Sequence, residues 1–381
     1  MTGLRDDGHS HVDPDGLMEF SVVFTDRSLN HMSKKFQQVM RDISDIACEV
    51  YGADGVALVP GGGTFAMESV ARQFARDANA LIVRNGWFSF RWTQILDAAD
   101  FDAEAQVQAA RPDGNQPRPA YAPAPIEDVV TEIARTRPAV VFAPHVETSA
   151  GLILPDDYIA ALADAVHEVG GLMVLDSIAS GAIWVDMRAL GVDVLISAPQ
   201  KGWSASPAAG LVMFSGRGLE RLEATTSDSF ALDLKKWRAI MKAYEDGGHA
   251  YHATLPTDAL VTLRDAMVET REMGFEAARE AQWDLGRKIR AALAERGIRS
   301  VAAEGYAAPG VVVSYTDDPD IRSGRKFAEK GMQIASGVPL QVGEGPEFST
   351  FRLGLFGLDK LKDVDGTVAR LTKVLDEVLA G

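Results

Sequence analysis

Two residues in this sequence combine the types and placement that carbonyl chemistry needs, Asp176 and Lys201. Two continuous apolar runs, Leu172–Leu175 and Val194–Ile196, end abruptly on the polar residues Asp176 and Ser197. Unbroken runs of this length, as opposed to alternating ones, predict parallel strands covered on both faces. Ligands of such sheets bind outside the carboxyl ends of the strands. Asp176 falls at one such end, and Lys201 follows the other by a few residues, between Gln200 and Gly202. A carboxylate and an amine therefore project from neighbouring strand ends toward one crevice.

Two chemistries use that pair. One is a structural ion pair, the ordinary role of an isolated Asp and Lys. The other is pyridoxal phosphate chemistry, in which a lysine amine forms a Schiff base with the cofactor aldehyde and a carboxylate keeps the pyridine nitrogen protonated. Placement directly after two buried strands favours the second.

The elements around the pair follow from pattern. Ser33 precedes an amphipathic helix with Phe36, Val39, Met40, Ile43, Ile46, Ala47 and Val50 on one face, and Cys48 lies within it as a small, partly buried side chain. Strand Val56–Val59 leads through Pro60-Gly61-Gly62-Gly63-Thr64 into a helix over 65–76. A strand, a glycine-rich turn and a helix start make an anion site, because the backbone can approach closely and the first helix amides point at the ligand. The turn is neither a P-loop nor a dinucleotide fingerprint, since both spacings fail. Leu81–Val83 is the next strand, and the aromatics Trp87 and Phe88 just past its end could stack on a flat ring or be ordinary core; with Trp203 they would crowd the crevice. Residues 111–125 read as a loop, 126–135 as a helix and Val140–Ala143 as a strand that ends in Pro144-His145-Val146-Glu147-Thr148-Ser149-Ala150-Gly151. His145 is expected to be structural. Helix 155–169, strand Ala209–Phe214 and helix 232–244 complete a first domain, and His249 and His252 lack a visible third metal ligand. A long helical stretch over 256–296 leads to strands at 310–315 and 350–355 and helices over 322–331 and 363–379. Arg352, inside an apolar strand, requires a carboxylate partner from the protein or from a substrate.

The expected organisation is an α/β chain in three parts. Residues 1–30 form a tail or strap over a partner subunit, 31–255 a large domain, and 256–381 a linking helix with a smaller α+β domain. The length of 381 residues suits two domains. Acidic residues number 54 against 38 basic, a net charge of −16. That argues against nucleic acid or an anionic membrane surface as the main partner, while leaving room for a local basic pocket. The single cysteine, Cys48, permits no intrachain disulfide, and the polar opening MTGLRDDGHSHVDPDG lacks the apolar segment of a signal peptide. The expected compartment is cytoplasmic.

The segments VLDSIASGA and DVLISAPQKGW, the stretch YHATLP and the strand Phe351-Arg352-Leu353-Gly354 occur in an order that resembles class V aminotransferases of the fold-type-I pyridoxal phosphate superfamily, in particular the alanine–glyoxylate and serine–pyruvate branch. The likeness runs from about Asn30 to Leu379. It implies a large domain with a mainly parallel seven-stranded sheet flanked by helices. It implies that Lys201 joins the cofactor covalently and then carries the proton from the substrate carbon, while Asp176 binds the pyridine nitrogen. Gly62, Gly63 and Thr64, with Gln200, would hold the phosphate. Phe88 would stack on the ring, Ile178 would pack on its other face, and Thr148 would bond near the ring hydroxyl. Tyr251 and Thr254 would reach the phosphate of a neighbouring subunit in a homodimer with shared sites, and Arg352 would grip the substrate carboxylate bidentately. The implied reaction moves an amino group between a small amino acid, of alanine or serine type, and a 2-oxo acid such as glyoxylate or pyruvate. The alternatives are a lyase or kynureninase-like hydrolase of the same fold, or a dicarboxylic donor. Cysteine desulfuration is excluded because Cys48, the only thiol, sits far upstream on a helix. The chain departs from the family where a Gly-Pro turn usually borders the substrate pocket, and reads Glu19-Phe20-Ser21-Val22-Val23-Phe24-Thr25-Asp26-Arg27 instead.

Overall fold

The computed structural model describes residues 4–101 and 105–380. Residues 1–3, at the head of the expected N-terminal strap, and Gly381, at the end of the expected small domain, lie outside the described residues. Helix α1, Lys34–Tyr51, starts where its cap predicts: the Ser33 hydroxyl accepts from the Phe36 amide at 3.1 Å. Phe36, Val39, Met40, Ile43, Ile46 and Ala47 are all buried along its inner face.

The apolar runs form one seven-stranded sheet. Its order is Gly55–Pro60, Ala209–Phe214, Val194–Ser197, Leu172–Asp176, Val140–Pro144, Ala80–Arg84, Ala105–Ala109. Only Ala209–Phe214 runs against its neighbours; the remaining adjacent pairs are parallel. Every residue of Val140–Pro144, Leu172–Asp176 and Val194–Ser197 is buried, which is why these strands read as continuous apolar runs. Register sets Asp176 opposite Ile196 on one side and Pro144 on the other. The direction of succession changes between Val140–Pro144 and Ala80–Arg84, at the edge of this trio, so the carboxyl ends open into a crevice.

Glycine corrects two expected elements. The helical stretch 256–296 is two helices, Thr257–Met273 and Phe275–Glu295, separated by Gly274 at φ +92°. The helix expected over 322–331 is likewise Pro319–Ser323 and Arg325–Glu329, split at Gly324 with φ +82°. Side chains rarely adopt that backbone region, so helical periodicity continues across each break while the helix does not. Within 111–125, expected to be a loop, Arg111–Asp113 and Ala120–Ala122 pair as a short antiparallel hairpin. The C-terminal part carries a second, antiparallel sheet in which Thr350–Gly354 lies between Val311–Tyr315 and Ala335–Ser336. One continuous apolar cluster reaches from α1 through the large sheet to the C-terminal helix Val364–Ala380.

The turn after Val194–Ser197 is held by close backbone contact. A Cβ on Gly202 would lie 2.1 Å from the Gly181 carbonyl oxygen and 2.7 Å from its carbon. The turn that bears Lys201 is therefore pressed against the loop that follows Asp176. Gly202→Ala should lower the unfolding free energy by about 2 kcal/mol, read from urea denaturation, and should displace Lys201 enough to reduce cofactor incorporation.

Candidate active site

Beyond the carboxyl ends of the central strands lies a cavity of about 220 Å³. It is lined by the glycine turn (Gly63, Thr64), by Phe88, by Thr148, by Asp176 and Ile178, and by Gln200 and Lys201. Five chain segments thus bring eight of the expected site residues together. A larger concavity of about 660 Å³ beneath the N-terminal segment carries no such convergence of chemistry.

Asp176 closes the floor, 8% exposed. One carboxylate oxygen accepts from the Ile178 amide at 3.0 Å. Burial pushes its pKa up to about 7; the Glu147 carboxylate adds to the rise, and the Ile178 amide and Arg91 guanidinium oppose it. Lys201 stands in the turn with its Nζ 5.2 Å from the Phe356 ring centroid. Burial first, then the Arg352 guanidinium, hold its amine below the ordinary lysine value. Among the described residues no ion pair within 4.0 Å joins Asp176 to Lys201, so the structural ion-pair reading is set aside.

The anion side is built on helix α2, Gly63–Phe74, capped by Gly62. A Cβ on Gly62 would meet nothing within 4 Å, whereas one on Gly63 would strike Ile178 Cδ1 at 2.6 Å. Gly62 therefore faces open space, and Gly63 lets the helix start approach the residue that packs beside the floor. Phe88 is set by helix α3, Trp87–Ala98. The start of α3 is held by Glu147, which the sequence reading left unassigned. This fully buried carboxylate accepts from the Phe88 amide at 3.2 Å, the Ser89 amide at 2.9 Å and the Ser89 hydroxyl at 2.7 Å. It also accepts from the Ser149 amide at 3.0 Å and the Ser149 hydroxyl at 2.8 Å.

Arg352 lies on the middle strand of the small sheet and is half-buried, with Nε donating to the Ser336 carbonyl at 2.8 Å and the guanidinium carbon 5.6 Å from the Phe88 ring centroid. No carboxylate lies within ion-pair distance of it among the described residues. Tyr251 and Thr254 are outside the cavity, exposed and hydrogen-bonded to one another at 3.1 Å. Two crowding aromatics are corrected. Trp203 is fully buried in the core beside Trp184 and Tyr51, and Trp87 packs on Phe90. Only Phe88 of the three lines the cavity. His145 is structural: it is buried, its Nδ1 lies 2.7 Å from the Ser180 hydroxyl, and burial depresses its pKa to about 3, with a smaller push from Arg279. His252 pairs with the Phe230 carbonyl at 2.8 Å.

Sequence reasoning missed Glu147 and Arg91. Glu147 stands one residue before Thr148 in a stretch already marked as a strand end. Arg91 lies one helical turn after Phe88 and lines the same cavity. The available signal was α-helical spacing, which puts residues three apart on one face.

The family model described as aminotransferase class V matches residues 19–331. A 2-aminoethylphosphonate–pyruvate transaminase of Paraburkholderia phymatum is 30% identical over 362 residues, covering 92% of this chain and 89% of that protein. One from Pseudomonas fluorescens is 27% identical over 334 residues, covering 86% and 85%. Among solved structures, an alanine–glyoxylate aminotransferase from Nostoc sp. superposes with a TM-score of 0.78 at 23% identity, over 92% of this chain and 89% of that one. An aspartate aminotransferase of subgroup IV from Thermus thermophilus gives 0.75 at 27% identity, over 92% and 93%.

Glu147→Gln keeps the shape and removes the charged acceptor, and is expected to lower stability by about 2 kcal/mol in denaturant unfolding. For Asp176 the sign follows from linkage. A carboxyl whose folded pKa of about 7 exceeds the ordinary 3.8 binds its proton more tightly when folded. Its contribution to stability is complete below about pH 4 and is lost as pH rises through about 7. Across that window the melting temperature of the cofactor-free chain should fall more steeply than that of Asp176→Asn; parallel curves would refute this placement of the proton.

Proposed function

This chain belongs to the class-V aminotransferase family and uses pyridoxal 5′-phosphate, and from that premise we propose that it transfers an amino group from a small amino donor to pyruvate or glyoxylate. One observation carries the reading: a buried carboxyl and a partly desolvated amine, neither ion-paired among the described residues, share one small cavity with a glycine-capped helix start and an aromatic face.

The residues present fit the cofactor. Asp176 is buried without a cation, and a protonated pyridine nitrogen supplies one. The first amides of α2 have no helical partner and suit a phosphate. Once bound, pyridoxal phosphate takes up the amino group and draws electrons from the bonds of the substrate carbon.

The chain's own residues do the rest. Asp176 keeps the ring nitrogen protonated. Phe88 and Ile178 hold the ring between them, and Gly62, Gly63, Thr64 and Gln200 hold the phosphate. Thr148 hydrogen-bonds near the ring hydroxyl. Lys201 binds the cofactor and, released, moves the proton at the substrate carbon. Burial and the Arg352 charge help it lose its own proton closer to neutral pH. Arg352 takes the substrate carboxylate in a bidentate grip, consistent with a guanidinium that meets no protein carboxylate among the described residues. Tyr251 and Thr254, exposed on this chain, complete the phosphate site of a second copy in a homodimer. Residues 31–255 then act as the cofactor domain, 256–381 as the smaller domain carrying Arg352, and the segment up to residue 30 as a strap. The one cysteine, Cys48, suits a reducing compartment such as the cytoplasm, and among the described residues no helix is long and apolar enough to cross a membrane.

The test is a donor-by-acceptor screen followed through the cofactor's own spectrum. The donors are alanine, serine, aspartate and 2-aminoethylphosphonate, and the acceptors pyruvate and glyoxylate. Loss of the yellow absorbance on adding donor alone, and its return on adding acceptor, is expected. Ammonia release without dependence on acceptor would instead favour a lyase. Lys201→Ala should abolish turnover, and Arg352→Gln should lower kcat/KM for alanine by about 100-fold.

A further inference from the structure

Arg91 is the charged residue lining the cavity to which neither the sequence reading nor the family resemblance gives a duty. It is half-buried on α3 and lies against Phe88, its guanidinium carbon 5.2 Å from the ring centroid. Its NH1 donates to the Thr64 hydroxyl at 2.9 Å. No carboxylate lies within ion-pair distance of it among the described residues, in a chain whose net charge is −16. Arg352 shares the Phe88 ring and is likewise unpaired, but it is tied to Ser336 on the small sheet. Arg91 is tied to the glycine turn.

We infer that Arg91 supplies the fixed positive charge that holds the cofactor phosphate, both directly and by orienting Thr64. The inference rests on the pyridoxal phosphate reading of the cavity. A hydroxyl has one proton to donate and two lone pairs. The Thr64 oxygen accepts from Arg91, and no described residue accepts the Thr64 proton. That proton is therefore left to point away from the guanidinium, toward whatever the first amides of α2 bind. A phosphate dianion needs more positive potential than a helix start provides, since the helix contributes only about half a charge. The other cation lining the cavity is Lys201, whose amine is committed to the cofactor's aldehyde end. Arg91 is the remaining full positive charge on the wall.

The experiment separates the phosphate from the ring. Full-length enzyme is stripped of cofactor and titrated with pyridoxal phosphate and, separately, with pyridoxal, following quenching of tryptophan fluorescence. Arg91→Gln is expected to weaken pyridoxal phosphate by about tenfold or more and pyridoxal by less than about twofold. Arg91→Lys, which keeps the charge, is expected to recover part of the loss, and unchanged melting temperatures of the stripped variants show that both fold. Equal weakening of the two ligands would overturn the inference, because Arg91 would then act by packing on Phe88. No weakening of either would overturn it too. A wild-type chain that binds no pyridoxal phosphate would instead remove the cofactor reading itself.

Discussion

The structure depends on a carboxyl held out of water at the end of a buried strand. Asp176 sits where the Leu172–Asp176 strand leaves the sheet, with Pro144 and Ile196 as its register neighbours, and among the described residues only the Ile178 amide donates to its carboxylate. Ionising an acid there is unfavourable without a cation, and its raised pKa expresses that cost. A fold that keeps such a residue has an electrostatic demand built into its floor. A protonated pyridine ring would meet the demand and would couple fold and cofactor through one charge.

The rest of the site arranges what that ring requires around the same floor. The reversal of strand order opens the crevice, and the glycine turn lets a helix start come close to Ile178. Glu147 collects donors from α3 and from the Ser149 segment, so Phe88 is placed by a buried polar network and not by apolar packing alone. Gly202 lets the turn of Lys201 rest against Gly181. Each device acts on the backbone, and backbone placement aims the side chains.

The charge distribution has a matching logic. Most arginines with a carboxylate within reach sit in surface pairs, such as Arg72 with Asp228 and Arg296 with Asp376. Arg91 and Arg352 meet at one aromatic ring with no carboxylate in reach among the described residues. An acidic protein that sets two guanidiniums, without carboxylate partners among the described residues, against one aromatic ring concentrates positive potential where an anionic cofactor and an anionic substrate would enter.

Much of this was legible in the sequence, because its signals are local. Apolar runs marked the central strands, the Ser33 cap and its 3.6-residue pattern marked α1, and the abrupt polar ends marked Asp176 and the turn of Lys201. What the tertiary structure decided was long-range. It chose Phe88 over Trp87 and Trp203 as the cavity aromatic, since only folding shows which ring faces the core. It broke two helices at Gly274 and Gly324, where a positive φ interrupts a helix that periodicity alone continues. It also gave Glu147 and Arg91 their partners, because hydrogen bonds between residues 58 and 27 positions apart leave no trace in local pattern.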